Sequence, residues 1–377
     1  MGYLIDRDAQ TLVDTVRDFV EKEVKPVAAE YDRLGEVPMH VYKKAMEMGL
    51  HCLEIPEEYG GAGLDYMTVA AAFEEMGKVD AGFATTIGAT GLAVKPVLIA
   101  GTKEQKQMYA DIITSGKFAA FCLTEPGAGS DAGSCSTTAV KDGEEYILNG
   151  RKCFITNGGI SDTYVVFATV DKSRGLKGLT AFIVERGRPG ISLGKEEDKM
   201  GIRLSNTCDV LFEDVRIPEG NRLGKEGEGF KIAMKTLDLS RPIAAAIAVG
   251  IAQRAVNEAV KYAKERITFQ KPIASFQAIQ FMLADMDIQT EAARQTLVYT
   301  INRIAAGLSY SRESALCKCF AGDTAVKVAL DAIQIFGGYG YSREYPVEKL
   351  LRDAKIFQIF EGTNQIQRVV VAGQLLA

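Results

Sequence analysis

TAVKDGEEYIL, residues 138–148, is where the character of the chain changes. Thr138–Val140 and Tyr146–Leu148 are β-prone runs on either side of Asp142-Gly143, and Asp-Gly between such runs is a strong hairpin signal. Working outward, the helical period stops around Phe118, and Asn149-Gly150 marks a second turn. Tyr164–Thr169, Leu179–Val184, Asp209–Phe212 and Val215–Ile217 are further β-rich runs separated by Gly- and Ser-bearing loops. Residues 118–218 therefore read as short strands, without the alternating helices of a parallel α/β sheet.

Both flanks read as helix. On the N-terminal side Leu12, Val13, Val16, Phe19 and Val20 recur at helical spacing, and Pro26 is predicted to kink or end that helix. Tyr59–Gly63 is a loop; Asp65–Met76 and Phe83–Ala100 are two more helices, the second nearly free of charge and so mostly buried. On the C-terminal side, beyond the loop Pro218–Gly229, Ile251, Ala252, Ala255, Val256, Ala259 and Val260 make one apolar face. Met282–Ile304 and Arg312–Ile335 repeat that pattern. The predicted fold is an α+β multidomain chain: helical over 1–118, β over 119–226, helical again over 227–377.

Composition excludes several functions. With 377 residues, 47% hydrophobic and 25% charged, the chain can bury large cores as a globular protein of two or three domains. A net charge of −5 with no Lys/Arg-dense run leaves nothing to attract nucleic acid. Apolar runs such as Ile243–Ala252 are short of a membrane span, and the acid-bearing, amphipathic N-terminus is neither a signal nor a transit peptide. Seven cysteines without a CxxC argue against a disulfide frame or zinc, and only His40 and His51 are available for imidazole chemistry. No metal site is expected, and the compartment is predicted to be the reducing cytoplasm.

Candidate binding stretches follow in order. Leu123–Asp131 (LTEPGAGSD) is a glycine-rich loop whose backbone N–H groups can approach a ligand, with Thr124 and Ser130 adding hydroxyls; a plain turn explains it equally well. Gly127–Ala132 fits a permissive dinucleotide pattern, but Pro126 precedes it and a hairpin follows, where strand and helix are required. Phe154–Gly159 (FITNGG) puts an aromatic two residues before a threonine, suited to flank a flat ring or simply to end a strand. Arg266–Pro272 closes a helix, Gln334–Gly340 reads as a glycine C-cap, and Asp238–Arg241 as an N-terminal capping cluster. Finally, Leu350, Leu351, Ala354 and Phe357 define a helix that breaks at Glu361-Gly362-Thr363-Asn364. A glutamate at such a break is ordinarily solvated. Held against an apolar cleft it has a raised pKa and can serve as a base.

Together LTEPGAGSD (123–131), FITNGG (154–159), ERITFQKPI (265–273), QIFGGYGY (334–341) and EYPVEKLLRDAKIFQIFEGTNQIQR (344–368) resemble the acyl-CoA dehydrogenase family over the whole chain, most of all its short- and medium-chain, butyryl-CoA dehydrogenase-like branch. The resemblance implies an N-terminal helical domain, a middle β-barrel or sandwich and a C-terminal four-helix bundle, with FAD between them. It also implies a homotetramer, a dimer of dimers, passing electrons to an electron-transfer flavoprotein. Phe121, Leu123, Thr124, Ser130, Phe154, Ile155 and Thr156 match positions around the flavin. Arg266, Thr268, Phe276, Gln277, Gln334, Gly337 and Gly338 match contacts to the FAD of the adjacent subunit, and Thr363 and Gln365 match further FAD contacts. Ser130, Asp238, Arg241 and Gly362 correspond to acyl-CoA contacts, and Glu361 to the catalytic base.

On that reading Glu361 removes the α-proton of an acyl-CoA, its own N–H polarises the thioester carbonyl, and the β-hydride goes to flavin N5, giving a trans-2-enoyl-CoA. Enoyl-CoA reduction would use the same residues. In some branches the base comes from the helix carrying residues 238–241; Ser240 holds the matching position, which leaves Glu361. Phe121, Phe154 and Phe360 stand where relatives often have Tyr, Trp and Tyr. Gly88 matches the far end of the acyl pocket. Competing readings are a related acyl-CoA oxidase using O₂ and a non-catalytic FAD-binding relative; the acidic charge and Glu361 weigh against the second.

Overall fold

The structure, a computed structural model, describes residues 3–377. Its first part is helical: α1 (Arg7–Phe19), α2 (Lys25–Leu34), α3 (Met39–Glu47), α4 (Tyr66–Val79), α5 (Ala81–Ala100) and α6 (Lys103–Thr114). Pro26 does not end the helical path. A π-helical turn, Val20–Val24, carries α1 into α2, and Pro26 sits in the first turn of α2, where a missing N–H is tolerated. Asp65 caps α4 by accepting from the Met67 and Thr68 N–H groups, and Asp80 caps α5 by accepting from Phe83.

The middle part is a sheet of β1 (Ala119–Cys122), β2 (Thr138–Asp142), β3 (Glu145–Thr156), β4 (Thr163–Thr169), β5 (Leu179–Glu185), β6 (Ile191–Glu196), β7 (Thr207–Pro218) and β8 (Arg222–Leu223). The strand order is β6-β7-β3-β2-β4-β5-β8, with β1 parallel to β4. Asp142 pairs with Glu145 across the turn, where Gly143 takes φ 62°. Two expectations need correction. Asn149-Gly150 is not a turn: β3 runs straight through it with a register shift against β7. Gly150 takes φ 152°, and Thr137 occupies the space a side chain there would need. Likewise Asp209–Phe212 and Val215–Ile217 are one strand, β7, kept continuous by Asp214 at φ 51°. The Asn149 amide fastens that irregularity, bonding the Asp214 N–H at 2.9 Å and its carboxylate at 3.0 Å. β6 escaped notice because it is mostly exposed and its apolar face is only Ile191 and Leu193.

The last part holds α7 (Gly229–Glu265), a two-strand hairpin of β9 (Ile267–Thr268) and β10 (Lys271–Pro272), α8 (Gln277–Ala305), α9 (Ser311–Phe336), α10 (Val347–Lys355) and α11 (Asn364–Leu375). α7, α8 and α9 pack on one another, and α10 and α11 lie against α9. α4 packs on α7 through two glycines. A methyl group on Gly77 would come within 2.6 Å of the Ile247 carbonyl, and one on Gly250 within 2.5 Å of the Glu74 carbonyl. Among the described residues α5 and α7 are long and apolar enough to cross a membrane, but 72% of each apolar window is buried inside the fold, as in core helices. Asp238–Arg241 is also corrected: it lies inside α7, not at its start, and Asp238 faces Arg241 instead of capping N–H groups.

Candidate active site

The chain between α10 and α11 is built around two consecutive left-handed residues, Glu361 at φ 54° and Gly362 at φ 88°. For a glutamate that conformation is strained, so the surroundings must hold it. They do so through the carbonyls. Gln367 Nε2 donates to the Glu361 carbonyl at 3.1 Å and to that of Gly362 at 2.8 Å. Lys318, buried in α9, donates from Nζ to the Gly362 carbonyl at 2.8 Å and to Asn364 Oδ1 at 3.0 Å. From α7, Arg241 Nε reaches the Glu361 carbonyl at 3.4 Å while its Nη1 pairs with Asp238 at 2.6 Å. The Glu361 N–H meets no acceptor among the described residues.

The Glu361 side chain points at α7, where Ser240 Oγ donates to Oε2 at 2.5 Å. Burial raises the pKa of Glu361 above the ordinary carboxylate value. The Ser240 hydrogen bond and the charges of Arg241, Lys318 and Lys95 oppose that rise. The residue as a whole is half-buried. Burial also brings Lys318 down to about 8 and raises Asp238. Lys318 and Gln367 were missed in the sequence because their partners are backbone carbonyls far along the chain. The one available signal was a lysine within an otherwise small and apolar stretch of α9.

The loop 123–131 and the end of β3 are brought together. Glu125 and Lys152, both wholly buried, pair at 2.7 Å; Lys152 also holds the Leu123 carbonyl at 3.0 Å. Glu125 accepts from the Ser136 and Thr137 N–H groups at 2.7 and 3.0 Å, which closes the loop into a ring. Lysine beside it keeps the Glu125 carboxyl well below the usual range, against the opposing effect of burial. The Cys153 N–H then donates to the Thr124 carbonyl at 2.9 Å, setting Phe121, Leu123 and Thr124 beside Phe154, Ile155 and Thr156. Phe154 is 65% exposed at φ 56°, while Leu123 and Ile155 are buried. The hydroxyls of Thr124, Ser130 and Thr156 have no partner among the described residues, and side-chain positions at Gly127 and Gly129 face open space. Asn157 fastens this corner to α5, its amide donating to the Thr86 carbonyl at 2.9 Å. Leu123 shares an apolar core with Leu237, one turn before Ser240, so the corner and the Glu361 turn flank the same stretch of α7.

A second cluster gathers Arg266, Thr268, Phe276 and Gln277 near Gln334, Gly337 and Gly338. Arg266 stacks over Tyr339 at 5.4 Å, and Phe269 meets Phe276 edge-on at 6.1 Å. Phe269 is 84% exposed. Among the described residues no hydrogen bond or ring contact joins this cluster to the corner at Phe154. Thr363 caps α11 through its hydroxyl, and Gln365 is exposed.

Known proteins place the chain. Models of the acyl-CoA dehydrogenase N-terminal, middle and C-terminal domains match residues 6–117, 120–215 and 227–376. A short-chain specific acyl-CoA dehydrogenase of Clostridium acetobutylicum is 45% identical over the full length of both chains. The butyryl-CoA dehydrogenase structure from Megasphaera elsdenii superimposes with a TM-score of 0.97 at 45% identity, covering both chains completely. A chain from a structure of the electron transferring flavoprotein of Acidaminococcus fermentans, concerned with flavin-based electron bifurcation, gives 0.97 at 49%, again over all of both chains. Relatives and family models alike identify an oxidoreductase acting on CH–CH bonds with FAD as its cofactor. The chain belongs to the acyl-CoA dehydrogenase family.

Proposed function

We propose that the protein interconverts a short acyl-CoA and its trans-2-enoyl-CoA, with Glu361 as the base that removes the α-proton. The observation that carries this is the Glu361 turn: a carboxylate whose pKa burial raises, beside a backbone N–H left without an acceptor. A raised pKa brings the base nearer the acidity of its target, while Ser240 and Arg241 keep enough of it ionised to act. The free N–H of Glu361 stabilises negative charge on the thioester oxygen as the proton leaves. Thr124, Ser130 and Thr156 would bond the FAD and Phe121 and Phe154 would cover its ring, consistent with unpaired hydroxyls and an exposed aromatic at one corner. Bound there, FAD would supply the acceptor for the β-hydride.

Asp238, Arg241 and Gly362 then hold the thioester. The exposed cluster at Arg266, Thr268, Phe276, Gln277, Gln334, Gly337 and Gly338 would serve the FAD of an adjacent copy in a homotetramer. Similarity to a chain from the Acidaminococcus structure supports an electron-transfer flavoprotein as acceptor. Seven unpaired thiols support the cytoplasm as compartment.

Anaerobic titration of the holoprotein with a panel of acyl-CoA thioesters tests the reading. Short thioesters are expected to bleach the flavin, with turnover sustained by an electron-transfer flavoprotein. A flavin that no thioester bleaches would sink the proposal, and rapid reoxidation by air alone would indicate an oxidase.

A further inference from the structure

One atom of α9 holds the Glu361 turn at both ends. Asp323 Oδ1 accepts from Gln358 Nε2 and from Asn364 Nδ2, each at 2.8 Å. Gln358 precedes the left-handed pair Glu361-Gly362 and Asn364 follows it, so a single carboxylate oxygen staples the span 358–364. The other oxygen, Oδ2, takes Arg368 Nη2 at 2.7 Å, further along α11. The backbones are close as well: a methyl group on Gly322, next to Asp323, would lie 2.5 Å from the Phe357 carbonyl. Asn364 is 2% exposed, and its amide is fully engaged. Its Nδ2 also donates to the Cys319 carbonyl at 3.0 Å, and its Oδ1 accepts from Lys318 at 3.0 Å.

Burial alone would raise the Asp323 carboxyl, but hydrogen bonds from Arg368, Asn364 and Gln358 hold it below the ordinary carboxylate range. Glu361 is shifted the other way, so Asp323 is ionised whenever Glu361 can act. A left-handed glutamate persists only where its surroundings over-determine it. The backbone at residue 361 sets the direction of both its carboxylate and its N–H, and a misplacement of about 1 Å can cost roughly a hundredfold in rate. Asp323 bonds neither Glu361 nor Arg241 among the described residues, so its influence passes through the two ends of the turn.

We propose that Asp323 is a positioning residue for the base: by bonding Gln358 and Asn364 with one oxygen, it fixes the turn that aims Glu361 at the α-carbon. The inference rests on Glu361 being the base of an acyl-CoA reaction. It is tested on the holoprotein by steady-state kinetics of Asp323→Ala and Asp323→Asn with a thioester that reduces the wild type. Asp323→Ala should lower kcat roughly tenfold or more, with KM and flavin content near the wild-type values. Asp323→Asn should restore most of kcat, because its carbonyl oxygen can still accept from Gln358 and Asn364 while the ion pair with Arg368 is lost. An asparagine variant as slow as the alanine one would show that the ion pair matters instead, and overturns the inference. So does an alanine variant with wild-type kcat, or one whose fall in kcat is matched by lost flavin. Should Asp323→Ala not fold, Gln358→Ala cuts one arm of the staple and decides: lowered kcat is expected, and wild-type kcat overturns the inference. A wild type that no thioester reduces removes the reading of Glu361 itself; a wild type that is reduced, beside an equally fast Asp323→Ala, removes only the role of Asp323.

Discussion

At the scale of single residues, the account depends on how Glu361 is tuned. Burial pushes its pKa up, and the Ser240 hydroxyl pulls it down by bonding the ionised form. Activity needs the carboxylate, so kcat/KM should fall with decreasing pH on a limb above the free glutamate value of about 4.3. Ser240→Ala removes a bond to the charged form, so that limb should move to higher pH. A limb that stays in place in the pH–rate profile would show that Ser240 does not bear on the base. The helix break made Glu361 no more than a candidate, ordinarily a solvated one, and it was the resemblance of the surrounding motifs that singled it out. Lys318 and Gln367 were not legible, since each acts on a group brought near only by folding.

At the scale of elements, the turn between α10 and α11 is what presents Glu361. Gly362 sits at φ 88°, and a methyl group there would lie 2.7 Å from Gln367 Nε2, one of the donors that hold the turn. Gly362→Ala should therefore cost roughly 1 kcal/mol or more of local strain. Its kcat is expected to drop while flavin content stays that of the wild type; unchanged kcat would mean the turn tolerates displacement. Sequence patterns served well for this element and for the 138–148 hairpin, whose signals are local. They misread Asn149-Gly150 and Asp238–Arg241, for one reason. Asn-Gly is a turn unless a neighbouring strand absorbs it as a bulge, as Asp214 of β7 does here. A polar cluster is a cap unless a long helix carries it into the interior to face another segment, as α7 does with Glu361.

At the scale of the molecule, a helical part, a sheet and a second helical part meet along α7. The wholly buried Glu125–Lys152 pair fixes the sheet's side of that meeting. The glycine contacts between α4 and α7 fix the other, aided by Arg294, which grips Glu74 with two hydrogen bonds of 3.0 Å. The helix–sheet–helix order was legible because each part has its own period. How the parts pack on α7 was not, because those contacts join residues far apart in sequence. Phe269, beside the second cluster, is exposed, where the proposed tetramer would cover it. Light scattering should give the mass of four chains, and Phe269→Asp should lower it or strip the flavin; a monomeric wild type with full flavin would contradict the tetramer.

The most direct test of the whole account is stopped-flow flavin reduction in Glu361→Gln, mixed anaerobically with a thioester that bleaches the wild type. The variant should keep its FAD and bind the thioester, with reduction slowed roughly a thousandfold. Reduction at the wild-type rate would show that another group takes the α-proton.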